Sequence, residues 1–121
     1  MSKTILVVDD SAAVRTVVRT ALCGAGYTVV EARDGADALG KLTGAAIDLI
    51  VSDVNMPNMD GIAFVRAVRR HPRYGRTPIC ILTTESERER VEEGRQAGAG
   101  AWLFKPFAPP KLLDAVSALT G

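Results

Sequence analysis

Residues 48–61 read DLIVSDVNMPNMDG: an apolar run, Leu49, Ile50 and Val51, that breaks on Asp53 and passes into a loop carrying Pro57, Asp60 and Gly61. A carboxylate at the end of a buried strand is expensive to desolvate unless something compensates it. The fold must therefore bring partners for Asp53 to that strand end. What the partners are depends on where the chain places its other acids.

Working outward, short β-branched runs alternate with longer segments of helical period, the pattern of βαβ units and a parallel sheet. Five such pairs are present. TILVVD (4–9) predicts the first strand, and its near-continuous apolar character suits burial on both faces. Val14, Val17, Val18, Ala21 and Leu22 then recur at helical spacing until Gly24 and Gly26 stop the helix. YTVVEA (27–32) is the second strand; Asp34 caps a helix carrying Ala38, Leu39 and Leu42, which Gly40 weakens by about 1 kcal/mol relative to alanine. After the third strand, DLIVSD, the segment GIAFVRAVRR (61–70) predicts a helix with Ile62, Val65 and Val68 inward and its three arginines outward. PICILT (78–83) is the fourth strand. Residues 86–97 predict a lightly packed fourth helix, with Glu87 and Arg90, and Glu92 and Arg95, as surface pairs. AWLF (101–104) is the fifth strand, and Pro109 and Pro110 open a last helix with Leu112, Leu113, Val116 and Leu119 as its buried stripe. The fold class is thus α/β, a doubly wound five-stranded parallel sheet with helices on both faces.

At 121 residues the chain predicts one domain over residues 1–121 with no attached output module. A net charge of +1 provides no basic field of the kind a nucleic-acid binder uses. The opening MSKTILVVDD has too short an apolar run for a signal peptide, and no segment approaches the roughly 20 apolar residues of a membrane span. A cytoplasmic protein with no nucleic-acid or membrane partner is expected. Cys23 and Cys80 are too few and too isolated for a disulfide framework or a zinc cluster, and both read as small buried hydrophobes.

In an open parallel sheet, right-handed crossovers bring every strand's carboxyl end to one edge, where ligands bind. Reading those ends gives Asp9 and Asp10 on the first strand, Asp53 on the third, Thr83 on the fourth and Lys105 on the fifth. Neighbouring strands lie about 4.8 Å apart, so adjacency of the first and third would crowd three carboxylates into one crevice. Like charges so placed either raise one another's pKa or recruit a cation. A hard divalent ion answers this, and magnesium, which keeps waters and joins carboxylates to a phosphate, suits a shallow crevice better than calcium. Singly, each residue has a plainer explanation: Asp10 or Ser11 as a helix cap, Asp53 as a turn initiator, Thr83 as an ordinary strand residue. Their joint appearance with Lys105 opposite favours a site. Lys105 precedes Pro106, which makes that bond a candidate for the cis form.

These residues resemble the receiver domains of bacterial two-component response regulators along essentially the whole chain. The matching motifs are VVDDS, VSDVNMPNMDG, ILTTES and LFKPF, each at the expected strand end. Among receivers the chain is most similar to the single-domain chemotaxis members, for which a flavodoxin-like (βα)5 fold is expected. The resemblance implies that Asp53 accepts a phosphoryl group from a phosphohistidine on a histidine kinase. It implies magnesium ligation by Asp10, Asp53 and the backbone carbonyl of Asn55, with Asp9 acting through water, and contact of Lys105 with the phosphoryl oxygens. Thr83 would be drawn toward the phosphate, and Trp102, at the position of the family's switch aromatic, would follow it inward. Asn55 and Glu85 stand where phosphate lifetime is tuned, and the pair suggests a short-lived signal. Thr84 occupies a position where a smaller residue is usual, so its bulk restricts water, donor or phosphatase; tryptophan at 102 is larger than the usual tyrosine or phenylalanine and lacks a hydroxyl.

The implied function is a monomeric response regulator that catalyses its own phosphorylation and dephosphorylation rather than turning over other substrates, and whose phosphorylated form binds the flagellar motor switch or another phospho-dependent target. The alternative is a phosphate sink or relay intermediate without motor binding. A metal-dependent hydrolase on the same fold would carry a DxDx[TV] pattern after its first strand, which this chain lacks. His71, in RRHPRYG, falls on an arginine-rich turn remote from the carboxyl edge and reads as a solvated loop residue.

Overall fold

A computed structural model describes residues 3–120, apart from the side chain of Glu85. Five strands, β1 (Thr4–Val8), β2 (Thr28–Ala32), β3 (Leu49–Asp53), β4 (Ile79–Thr84) and β5 (Ala101–Lys105), alternate with five helices, α1 (Ala12–Gly24), α2 (Gly35–Lys41), α3 (Gly61–Arg69), α4 (Arg90–Ala97) and α5 (Pro109–Thr120). All strand pairs are parallel, in the order β2-β1-β3-β4-β5. This is the doubly wound, flavodoxin-like architecture expected from the alternation of strand and helix signals.

Successive residues of a strand point to opposite faces, so a sheet covered on both sides needs apolar residues at every position. Leu6, Val8, Ile50 and Ile81 enter one core with Phe64, Val65 and Val68 of α3. Ile5, Val7, Leu49, Val51, Cys80 and Leu82 enter the other with Val18 and Leu22 of α1 and Leu112 and Val116 of α5. The unbroken apolar runs ILVV (5–8) and LIV (49–51) follow from this double burial. Because β1 lies between β2 and β3, the winding direction reverses beside it, and the crevice outside the carboxyl ends of β1 and β3 is the expected ligand position. Side-chain caps fix the helices that begin near that edge: Ser11, Asp34 and Asp60 accept from the N–H of Val14, Asp37 and Ala63 at the starts of α1, α2 and α3.

Four local expectations are corrected. Val17 is 54% exposed and Cys23 is exposed, because α1 is buried only along Val18 and Leu22 and both other residues fall outside that narrow stripe. Cys80 is buried as expected, with its thiol pushed up to about 12 by desolvation. The helical signal from residue 86 resolves into a 3-10 turn, Glu85–Glu87, followed by α4 from Arg90. Glu87 does not pair with Arg90; its carboxylate accepts from the Thr84 hydroxyl at 3.0 Å, while Arg90 turns to Asp60 and Glu93. The Glu92–Arg95 pair forms at 3.3 Å. α4 is lightly packed as expected, with only Gly94 fully buried among its residues.

The fourth correction concerns Arg69, which does not point outward. Its guanidinium donates to the Gly98 carbonyl from Nε at 3.1 Å and Nη2 at 2.7 Å, and from Nη1 to the carbonyls of Thr77 at 2.7 Å and Gly75 at 3.3 Å. Gly98, at φ 121°, ends α4 in a conformation that glycine alone adopts readily, and a Cβ there would lie 2.7 Å from the Arg69 Nε. Arg69 thereby pins the end of α4 and the loop before β4 to the end of α3. Charge-assisted bonds contribute roughly 1.5–3 kcal/mol, and these are partly buried. Replacement Arg69→Met is expected to lower unfolding free energy by about 2 kcal/mol, measured as a fall in the urea midpoint without a change in slope.

Candidate functional site

Asp9 follows β1 directly and Asp53 closes β3, and the pairing of Val8 with Ser52 sets the two acids side by side at the sheet's edge. With Asp10 they form a cluster whose carboxylate oxygens all lie within 4.8 Å of one another. Asp9 is fully buried, Asp53 is 6% exposed and Asp10 faces solvent. Lys105, at the end of β5, extends its Nζ to 3.0 Å from Asp9 Oδ2 and 3.2 Å from Asp53 Oδ1. Its peptide bond to Pro106 is cis, as the sequence suggested.

The oxygens are unequally used. Asp9 Oδ1 accepts from the Ser11 N–H at 2.9 Å and Asp53 Oδ1 from the Val54 N–H at 2.9 Å. Among the described residues no donor reaches Asp53 Oδ2 or the Asp10 carboxylate. Desolvation, joined by the neighbouring Asp9 charge, pushes the Asp53 carboxyl up to about 6 against the pull of Lys105. Burial pulls the Lys105 ammonium down, but its bonds to Asp9 and Asp53 outweigh this and leave it raised. Two buried carboxylates thus share one ammonium beside a third, exposed carboxylate, an arrangement left with excess negative charge. A set of hard oxygen donors with unused lone pairs at a solvent-open edge is chemically suited to a magnesium ion.

The loop after Asp53 is held close to the acid. Gly61 donates its N–H to the Val54 carbonyl at 2.7 Å, and a Cβ at Gly61 would lie 2.1 Å from the Asp53 carbonyl oxygen. Only glycine permits that approach. Asn55 is exposed in this loop, and Asn58, at φ 69°, donates from Nδ2 to Asp34 Oδ2 at 3.2 Å, tying the loop to the start of α2. Asparagine tolerates the left-handed region better than most residues, a signal in NMPNMDG that the sequence reading passed over.

Thr83 is buried at the end of β4, its hydroxyl only 3.4 Å from the Thr84 carbonyl and so weakly engaged. The Thr84 hydroxyl is shared between Ser86 Oγ at 2.8 Å and Glu87 Oε1 at 3.0 Å, and its N–H points to the same Glu87 oxygen. The spacing Thr84 to Glu87 is that of a capping box, another signal present but unread in TESE. Glu85 lies in the adjacent 3-10 turn, its side chain outside the described residues. Trp102 on β5 pairs with Ile81 of β4, is 37% exposed, and lines a groove of about 440 Å³ with Leu103, Phe104, Pro106, Phe107 and Lys111. It therefore does not touch the acids in this conformation. His71 lies in the α3–β4 turn, edge-on to Tyr74 at 4.8 Å, and does not join the cluster.

A doubly wound sheet with a lysine bridging two of three clustered acids at its switch point defines a receiver. The chain belongs to the response regulator receiver domain family, which matches residues 5–117, and it is therefore a response regulator, a signalling protein rather than a substrate-turnover enzyme. Its relatives narrow the type. It is 36% identical over 116 residues to the chemotaxis protein CheY of Pseudomonas aeruginosa, covering 95% of this chain and 94% of that protein. It is 35% identical over 119 residues to the chemotaxis protein CheY1 of Helicobacter pylori, covering 97% and 96%. Among solved structures, the chemotaxis response regulator CheY4 of Vibrio cholerae superposes with a TM-score of 0.92 at 46% identity, covering 98% of this chain and 99% of that one. A response regulator of Chloroflexus aurantiacus described as putative superposes at 0.95 with 34% identity, covering 99% and 98%.

Because the Asp53 carboxyl is raised above its unfolded value of 3.8 to about 6, ionising it costs the folded state. The stability associated with its protonated form is complete below about 4 and is lost as pH rises through 6. In metal-free buffer at neutral pH, Asp53→Asn is therefore expected to be more stable than the parent chain by on the order of 2 kcal/mol, an advantage that disappears below about pH 4. Urea unfolding of both proteins across that range checks the sign.

Proposed function

We propose that this chain is a cytoplasmic, monomeric phosphoryl-accepting switch over residues 1–121, serving chemotaxis through control of the flagellar motor. The observation that carries the reading is the meeting of Asp9, Asp10 and Asp53 within 4.8 Å, with Lys105 reaching both buried acids. Asp53 is the acceptor: its Oδ2 is the oxygen that no described donor occupies, and it attacks the phosphorus of a phosphohistidine on the partner kinase. The new oxygen–phosphorus bond forms as the phosphorus–nitrogen bond breaks, and the departing imidazole takes back a proton.

Phosphoryl transfer is catalysed mainly by positioning and by neutralising charge on the equatorial oxygens. Bound by Asp10, Asp53 and the Asn55 carbonyl, with Asp9 through water, Mg2+ would supply that neutralisation. Lys105 exchanges its contact with Asp53 for the phosphoryl oxygens, and the weakly bonded Thr83 hydroxyl donates to another of them. Movement of Thr83 frees space behind Trp102, and the change in the Trp102 face is what a motor-switch protein or another phospho-dependent target reads. Asn55 and Glu85, two residues beyond the acceptor and two beyond Thr83, together with Thr84, tune access of water and of any phosphatase, hence the lifetime of the phosphate.

Incubation with acetyl phosphate and magnesium, followed by intact mass and peptide mapping, tests the reading. One phosphoryl group on Asp53, absent without magnesium and absent in Asp53→Asn, is the expected result; full uptake by Asp53→Asn would refute it. Binding of the phosphorylated chain to a motor-switch peptide supports motor control, while rapid turnover without such a complex supports a phosphate sink.

A further inference from the structure

The start of α4 is held on the molecule by charge rather than by apolar packing. Gly94 is its only fully buried residue, and the four preceding residues include Arg90, Glu92 and Glu93. Asp60 accepts the N–H of Ala63 through Oδ1 at 2.8 Å, capping α3, and presents its other oxygen, Oδ2, to Arg90 Nη2 at 3.2 Å. Arg90 Nε lies 3.4 Å from Glu93 Oε1, and Glu93 Oε2 lies 3.9 Å from Arg66 Nη2, so the pair continues as a chain of alternating charges between α3 and α4. Desolvation pushes the Asp60 carboxyl up, but the Ala63 N–H and the Arg90 guanidinium outweigh it and keep it low.

The position of this pair matters more than its strength. Asp60 immediately precedes Gly61, whose backbone is packed on the Asp53 carbonyl. Arg90 immediately follows the segment that carries Thr83, Thr84 and Glu87. The pair therefore joins the two loops that flank the Asp53 carboxyl, at a point where neither residue touches the acids.

We propose that Asp60 and Arg90 are positioning residues that latch the β3–α3 loop to the start of α4, holding the Thr83 segment in the arrangement seen here and opposing its movement toward Asp53. The consequence for switching rests on the proposed role of Asp53; the latch itself does not. Half-exposed ion pairs are weak and screened by salt, so the effect is a bias in a two-state equilibrium and not a lock.

Asp60→Asn keeps an oxygen that can cap α3 while removing the charge, and Arg90→Gln keeps hydrogen-bonding capacity without charge. Hydrogen exchange on the unphosphorylated protein is the first readout. Each single variant should exchange amides of residues 84–93 about two- to fivefold faster, the double variant no faster than either single one, and high salt should accelerate the parent chain but not the variants. Parental rates in both variants, or additive effects in the double, would overturn the latch. The second readout is titration with beryllium fluoride and magnesium, followed by Trp102 fluorescence. Both variants should bind about two- to fivefold more tightly than the parent, and equal affinity would overturn the control of switching. A parent chain that does not respond at all would overturn the role of Asp53, and the exchange result alone would then decide the latch.

Discussion

Two buried carboxylates face one ammonium at the switch point of the sheet, and the fold is arranged around that imbalance. Asp9 and Asp53 are placed by adjacent parallel strands: both follow the Val8–Ser52 pair, with Asp9 bonded through its N–H to the Ala32 carbonyl of β2 and Asp53 paired with Leu82 of β4. Lys105 reaches both, but a single positive charge leaves the cluster with Asp10 net negative, and Asp53 bears the cost as a carboxyl raised to about 6. Such a site is under electrostatic tension of the kind that a hard divalent cation is chemically suited to relieve. Double burial of the sheet is what makes the tension possible, since an exposed strand end would let solvent screen it.

Around this rigid centre the movable parts are held by polar contacts. The core strands and α3 pack through large apolar side chains, whereas α4 is attached at its end by Arg69 to the Gly98 carbonyl and at its start by Arg90 to Asp60. Elements with few buried apolar contacts are those that move at low cost. Trp102 stands on β5, paired with Ile81 of β4 and partly exposed at a groove, so a shift of the β4 end would change its surroundings without disturbing the core.

Much of this was legible in the sequence because the controlling features are local. Strand ends are marked by the break from apolar run to acid, threonine or lysine, and parallel topology then forces Asp9, Asp10, Asp53 and Lys105 together. The features that escaped depend on where distant backbone falls. Arg69 reads as a surface arginine from its helical position, yet the carbonyls of Thr77 and Gly98 converge beside it and its long side chain can reach them. Val17 fits the helical stripe by spacing and Cys23 reads as a small buried hydrophobe, but α1 packs along a seam too narrow to include either. The Asp60–Arg90 pair joins the cap of α3 to the first residue of α4, 30 residues apart in sequence, and nothing in either neighbourhood announces the other.

Asp53 carries a charge burden that Lys105 alone does not relieve. The most direct measurement is the pH titration of the Asp53 side-chain carboxyl carbon by NMR, with and without magnesium. A midpoint near 6 in metal-free buffer and a marked fall when magnesium is added are the expected result. An ordinary carboxylate midpoint near 4 without metal, or a raised midpoint that magnesium leaves unchanged, would contradict it.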